Sequence, residues 1–204
     1  MSNEVLVIRE LVCGYDRPLL KASLRLREGE HAIVYGENGT GKTTFLKTIA
    51  GLREPFSGEV RILRKKPGRG KPVMREVFFL PEEISLPIEL RVKDYVNMIS
   101  DIYGEKPDEE RISRGLEFLG LEHLYNRPIK ELSQGQRRKV QLLTAYVLER
   151  KLTLLDDPVI GIDEGGEDVV KTIIRELTKD GAVLVTSRRP VDSLNCIPVD
   201  DLKP

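Results

Sequence analysis

Eight residues, "GENGTGKT" from Gly36 to Thr43, constrain this chain more than any others. They fit G-x-x-x-x-G-K-[ST] and have the context that pattern needs. The short apolar run "EHAIVYG" reads as a buried strand before them. "GKTTFLKTIAGL" spaces Phe45, Leu46, Ile49 and Ala50 as a helix after them. Glycines at 36, 39 and 41 let the backbone turn so that successive N–H groups point inward at phosphate oxygens. The helix adds its positive N-terminal end. Lys42 reaches β- and γ-phosphates, and the Thr43 hydroxyl suits Mg²⁺. Glu37, Asn38, Thr40 and Thr44 complete the segment expected to wrap the phosphates. The stretch predicts a nucleoside triphosphate site with magnesium, carried on a strand–loop–helix unit.

The remaining pattern extends that unit into an α/β fold. "EVLVIRELVC", "LLKASLRLRE" and "SGEVRILR" have strand character and predict an N-terminal antiparallel β subdomain. "REVFFLP" is a further strand, stopped by Pro81. "KLTLLD", a helix at about 163–178 and "GAVLVTS" follow late in the chain. Strands alternating with helices predict a mostly parallel core sheet covered on both faces. Between them, "RVKDYVNMISDIYG", "DEERISRGLEFLG" and "QGQRRKVQLLTAYVLE" are helical patterns. The chain reads as one domain, with a core at about 1–83 and 150–204 and an inserted helical subdomain at about 84–149. The basic, Pro- and Gly-rich loop at 64–75 reads first as a solvated hairpin.

Composition narrows the partners. The 33 basic and 33 acidic residues cancel, so no general pull toward nucleic acid is expected. Cys13 and Cys196 stand alone and read as packing residues of a reducing compartment. "MSNEVLVIRE" shows no secretory pattern, and no apolar run approaches the roughly 18 residues a membrane span needs. A membrane role would need another chain to do the spanning. Charged residues are 32% of the chain and Trp is absent, a balance shared by ion-pair-rich thermophilic proteins and ordinary charged surfaces.

"LTLLDDPV", residues 152–159, ends a buried-strand pattern in two adjacent carboxylates. They would repel each other and resist burial unless a cation came to them. Beside a phosphate loop, Asp156 is a candidate Mg²⁺ ligand on a second strand. "LSQGQRRKVQ", residues 132–141, then supplies Ser133, the Gly135 N–H and a helix N-terminus as a second anion site, with Gln136 beside them. Taken alone, this would be a plain N-capped helix.

Together, the three stretches resemble the ATP-binding-cassette (ABC) family of ATPases, over nearly the whole chain. The short length is similar to compact haem-exporter and multidrug-exporter cassettes. The resemblance implies that Tyr15 in "CGYDRP" stacks on adenine, and that Asp163 in "VIGID" speaks to a partner subunit. Residues of about 84–131 would dock on a transmembrane permease. It also implies that two cassettes, identical or different, pair head to tail, so that Ser133 and Gly135 act on the partner's ATP. The expected location is cytoplasmic, peripheral on the inner face of the membrane through the permease.

Three positions depart from that family's pattern. Asp157 stands where a Glu normally serves as general base, one methylene shorter. Glu82 in "FFLPEE" stands at the Gln-loop position, where it can accept from water or ligate the metal. Ser187 stands where a γ-phosphate-contacting histidine is expected. Arg188 and Arg189 follow it; either can make a charge-assisted contact, although both read first as surface arginines. The binding parts are intact and the hydrolytic parts altered. The sequence therefore predicts a transport ATPase, with an ATP-gated regulatory cassette of weak hydrolysis as the alternative. A soluble non-transport cassette is a lesser one.

Overall fold

The computed structural model describes residues 3–106, 108–162 and 165–202. Five strands form one parallel sheet: β3 (His31–Tyr35), β5 (Val77–Leu80), β6 (Leu152–Asp156), β7 (Ala182–Ser187) and β8 (Cys196–Pro198), in the order β5-β6-β7-β3-β8. Three others, β1 (Glu4–Gly14), β2 (Pro18–Arg27) and β4 (Ser57–Ile62), form an antiparallel sheet in the order β2-β1-β4. This is the expected P-loop NTPase α/β arrangement. The sequence reading missed β8, whose three residues pair only with the edge of β3.

The parallel strands are mostly apolar because both faces of their sheet are covered. Alternation divides their side chains between two cores. Ile33, Leu155, Val183 and Val185 face a helical layer of α2 (Val92–Tyr103), α3 (Glu109–Leu119), α4 (Gln134–Val147) and α5 (Gly166–Thr178). Ala32, Val34, Leu154 and Leu184 face the other way, toward the antiparallel sheet and α1 (Lys42–Ile49). The second layer is thus half sheet and half helix.

This division positions the site. Helix α1 buries Phe45, Leu46 and Ile49 completely, each contributing roughly 1.5–3 kcal/mol. An eight-residue helix would not hold alone; burial anchors it and with it the loop at its N-terminus. The C-terminal ends of β3, β6 and β7 lie side by side in parallel register, with Asp156 opposite Thr186 and Tyr35 opposite Ser187. The segments that leave these strands therefore emerge along one edge of the sheet.

Candidate nucleotide site

The loop after β3 is closed by its own lysine. Lys42 Nζ donates to the carbonyls of Gly36 and Glu37, both at 2.6 Å, and Thr40 Oγ1 donates to Glu37 O at 2.8 Å. Gly41 turns into α1 at φ +99°, a left-handed conformation that a side chain would strain. No side chain caps α1 and no acid occupies its first turn, so its first N–H groups are left for an anion. Burial pulls the Lys42 pKa below the ordinary lysine range, opposed by the carboxylates of Asp157, Asp156 and Glu82. The cation sits beside three acids.

Those acids share its cleft. A cavity of about 330 Å³ is lined by Asn38, Gly39, Gly41, Lys42, Thr43, Thr44, Glu82, Asp156 and Asp157, with Leu19 of β2 closing one side. It adjoins a cleft of about 580 Å³ that shares Thr43, Glu82 and Asp156 and runs past Pro81, Glu83 and Ile84 to Gln134. Segments distant in sequence thus converge on the phosphate loop.

Asp156 is buried at the end of β6. Its Oδ1 accepts from the Thr186 hydroxyl at 2.6 Å. Its Oδ2 is buried and has no hydrogen-bond partner among the described residues. A buried, unpaired carboxylate oxygen is costly unless a cation covers it. The Thr43 hydroxyl lines the same cleft. Two such oxygens fit Mg²⁺, which takes much of its octahedral shell from water and substrate phosphates. Among the described residues no three or more His, Cys, Asp or Glu side chains stand where they could hold a metal ion together.

Asp157 turns the chain sharply. Its φ is +42°, a left-handed conformation that aspartate tolerates better than most residues. The surroundings hold it there. Its N–H donates to Thr186 O at 3.0 Å, and its own carbonyl accepts from Arg138 Nη2 at 2.9 Å. Burial pushes the Asp157 carboxyl above the ordinary aspartate range, against the opposing pull of Arg188.

Three residues that sequence reading left unassigned hold this arrangement. Arg138, fully buried on α4, donates to the carbonyls of Pro81, Asp156 and Asp157 and to Gln141 Oε1, all within 2.8–3.1 Å. It joins the Glu82 segment to the end of β6. Arg138 sits in the polar run "QGQRRK", and only its helical spacing to Leu142 and Ala145 marks it as facing the core. Thr186 was legible only through strand order, which places it beside Asp156. Arg188, read first as a surface residue, places Nε 3.1 Å from Asp157 Oδ2 and Nη2 3.4 Å from Glu82 Oε1.

Other expected residues lie outside the cleft lining. The Ser187 hydroxyl donates to the carbonyl of Arg189 and accepts its N–H. Tyr15 is 68% exposed in the β1–β2 turn, with the Arg53 guanidinium 4.1 Å from its ring centroid. Ser133 and Gln136 form a reciprocal capping box at the start of α4. Gly135 has a packing reason for lacking a side chain: a Cβ there would lie 2.6 Å from Gly161 O. Asp163 lies outside the described residues.

Comparison with known proteins agrees with this geometry. Residues 19–160 match the ABC transporter family. The cytochrome c biogenesis ATP-binding export protein CcmA of Pseudomonas aeruginosa is 34% identical over 181 residues, covering 87% of this chain and 89% of that protein. A solved chain from Pyrococcus furiosus, described as an ABC transporter ATP-binding protein, is 34% identical with a TM-score of 0.88, covering 98% of this chain and 99% of that one. An ATP-binding subunit of an ABC transporter superposes with a TM-score of 0.77 at 26% identity, covering 90% and 79%. The chain belongs to the ABC transporter family as an ATP-binding subunit, one of the cassettes that hydrolyse ATP to drive transport.

Proposed function

We propose that this subunit binds ATP with Mg²⁺, pairs head to tail with a second cassette, and hydrolyses ATP to drive a membrane permease. The observation that carries the reading is the convergence of Lys42, Thr43, Asp156 and Asp157 on one cleft at the N-terminus of α1. Lys42 and the loop N–H groups would hold the phosphates. Thr43 and Asp156 would hold Mg²⁺, which supplies neutralisation of the developing phosphate charge. Asp157, with Glu82 beside it, would orient the attacking water or take its proton, and preorganised charge would supply most of the rate.

Pairing gives Ser133, Gly135 and Gln136 a role beyond capping. A helix N-terminus with Ser133 exposed is suited to an ATP held mainly by the other cassette. Tyr15, exposed on its turn, is suited to adenine. For the permease contact, Ile88 and Ile102 leave 47% and 70% of their surface exposed in the segment expected to dock. Among the described residues no helix is long and apolar enough to cross a membrane, so the cargo path is assigned to the permease. The cassette would then sit on its cytoplasmic side. The printed name of the P. aeruginosa relative assigns that protein to cytochrome c biogenesis and export; for this subunit we propose the export direction.

Steady-state ATPase assays of wild type, Asp157→Asn and Asp157→Glu test the reading. Asp157→Asn is expected to lose about 100-fold in kcat. Asp157→Glu, which restores the missing methylene, is expected to retain or raise the rate. A wild type no faster than Asp157→Asn would sink the hydrolytic reading and leave an ATP-gated binding cassette.

A further inference from the structure

Two of the three positions that depart from the family pattern, Asp157 and Glu82, meet the arginine that follows the third, Ser187. Arg188 follows β7, Asp157 follows β6, and Glu82 follows β5. These are neighbouring parallel strands, so the residues beyond their C-terminal ends meet. Arg188 lies across both acids, with Nε on Asp157 and Nη2 on Glu82. The residue before it cannot act in its place without giving up bonds, because the Ser187 hydroxyl is bound to the backbone of Arg189.

Burial makes this bridge a loose one. The Asp157 side chain is 10% exposed, but those of Arg188 and Glu82 are 52% and 45% exposed. Exposed ion pairs are worth about 0–1 kcal/mol. Arg188 can therefore leave Glu82 at little cost and without unpacking a core, whereas leaving the mostly buried Asp157 requires a competing anion to take over the guanidinium. What it covers is the carboxylate that the hydrolytic reading needs free for water. Near it stand three carboxylates, of Glu82, Asp156 and Asp157, in the cleft where a triphosphate must enter. Lys42 is held back by its own loop carbonyls. A triphosphate would be repelled by the uncovered acids and would compete with them for the guanidinium. A guanidinium fork matches a phosphate group in geometry as well as charge.

We propose that Arg188 reads the terminal phosphate of ATP in this cassette. Without nucleotide it is parked on Asp157 and Glu82. The γ-phosphate draws it off and thereby uncovers Asp157 for the attacking water. ADP, which lacks that group, leaves it parked. The contact gives the site selectivity for the triphosphate and couples the presence of substrate to the availability of the base. This rests on the ATP-hydrolysing reading above.

Equilibrium binding of Mg–ATP and Mg–ADP, at one fixed ionic strength, tests it in wild type, Arg188→Ala, Arg188→Lys and the control Arg189→Ala. Arg188→Ala is expected to weaken ATP about tenfold and to change ADP by no more than about twofold. Arg188→Lys should recover part of the ATP loss, and Arg189→Ala should leave both affinities as in wild type. Arg188 is a surface side chain, so urea unfolding of the variants should match wild type. Equal weakening of both nucleotides by Arg188→Ala, or no weakening of either, would overturn the proposal while leaving the functional reading intact. A wild type that bound neither nucleotide would defeat the functional reading itself, and this inference with it.

Discussion

The two sides of the cleft are built differently. On the phosphate side, Lys42 makes two 2.6 Å bonds to carbonyls of its own loop, and α1 behind it buries three large apolar side chains. Every part of that side lies within a short contiguous stretch. On the water side, Asp157 and Glu82 come from separate strands and are bridged by one half-exposed arginine. The phosphate side is rigid before any ligand arrives. The water side is fixed in its backbone but loose in its side chains. On the proposed reading, such a site meets phosphate with a preformed loop and becomes competent for chemistry only as Lys42 and Arg188 exchange their present partners for phosphate oxygens.

If that contrast is right, the largest loss should come from the rigid side. Lys42→Ala removes two charge-assisted contacts to phosphate, each worth about 1.5–3 kcal/mol. ATP affinity is expected to fall on the order of 10³-fold, about 4 kcal/mol, far beyond the effect of Arg188→Ala. Equilibrium binding of a fluorescent ATP analogue would show it. Affinity within a few-fold of wild type would break both the comparison and the assignment of the loop.

A second variant asks whether the water side is fixed in its backbone at all. Arg138→Leu removes the guanidinium donor from the carbonyls of Pro81, Asp156 and Asp157, of which the last keeps the Ile160 N–H at 3.2 Å. Part of that loss is offset because no charge need be buried. The expected net cost is about 3 kcal/mol in urea unfolding. The remaining fold should turn over ATP more slowly with little change in ATP affinity, because the phosphate loop is not touched. A stability loss below about 1 kcal/mol would mean that the sheet edge positions the acids without Arg138.

The same contrast explains what the sequence revealed. The phosphate loop is a contiguous eight-residue pattern, so its chemistry could be read directly. Asp156 was legible because a run of buried apolar residues led to it. The water side could be listed by resemblance, as Glu82, Asp157 and Ser187, but its wiring, which runs through Arg188, could not be seen. The contacts of Arg188 span 31 and 106 residues, and no local pattern encodes them. Ser133 and Gln136 show the opposite limit. Their spacing suits a helix cap, and the cap is present, so neither the residues nor the isolated chain displays a second role. Strand β8 escaped because it is three residues long and needs β3 to exist.

The smallest expected effect lies where the two sides meet, at Thr186. Its hydroxyl donates to Asp156 Oδ1 at 2.6 Å. The Asp157 N–H, bound mainly to the Thr186 carbonyl, keeps that bond whatever the side chain. Thr186→Val keeps the shape and removes only the hydroxyl. The buried carboxylate then loses its one side-chain donor among the described residues, a charge-assisted bond worth about 2 kcal/mol. That loss should appear in urea unfolding without nucleotide. Nucleotide binding should respond much less, because the oxygen free for the cation is Oδ2, which Thr186 does not touch. ATP affinity in Mg²⁺ is expected within about threefold of wild type, since the backbone clamp of Arg138 still holds the end of β6. A loss of affinity approaching that of Lys42→Ala would place Asp156 with the loose side of the cleft, its aim set by one side-chain bond rather than by the sheet.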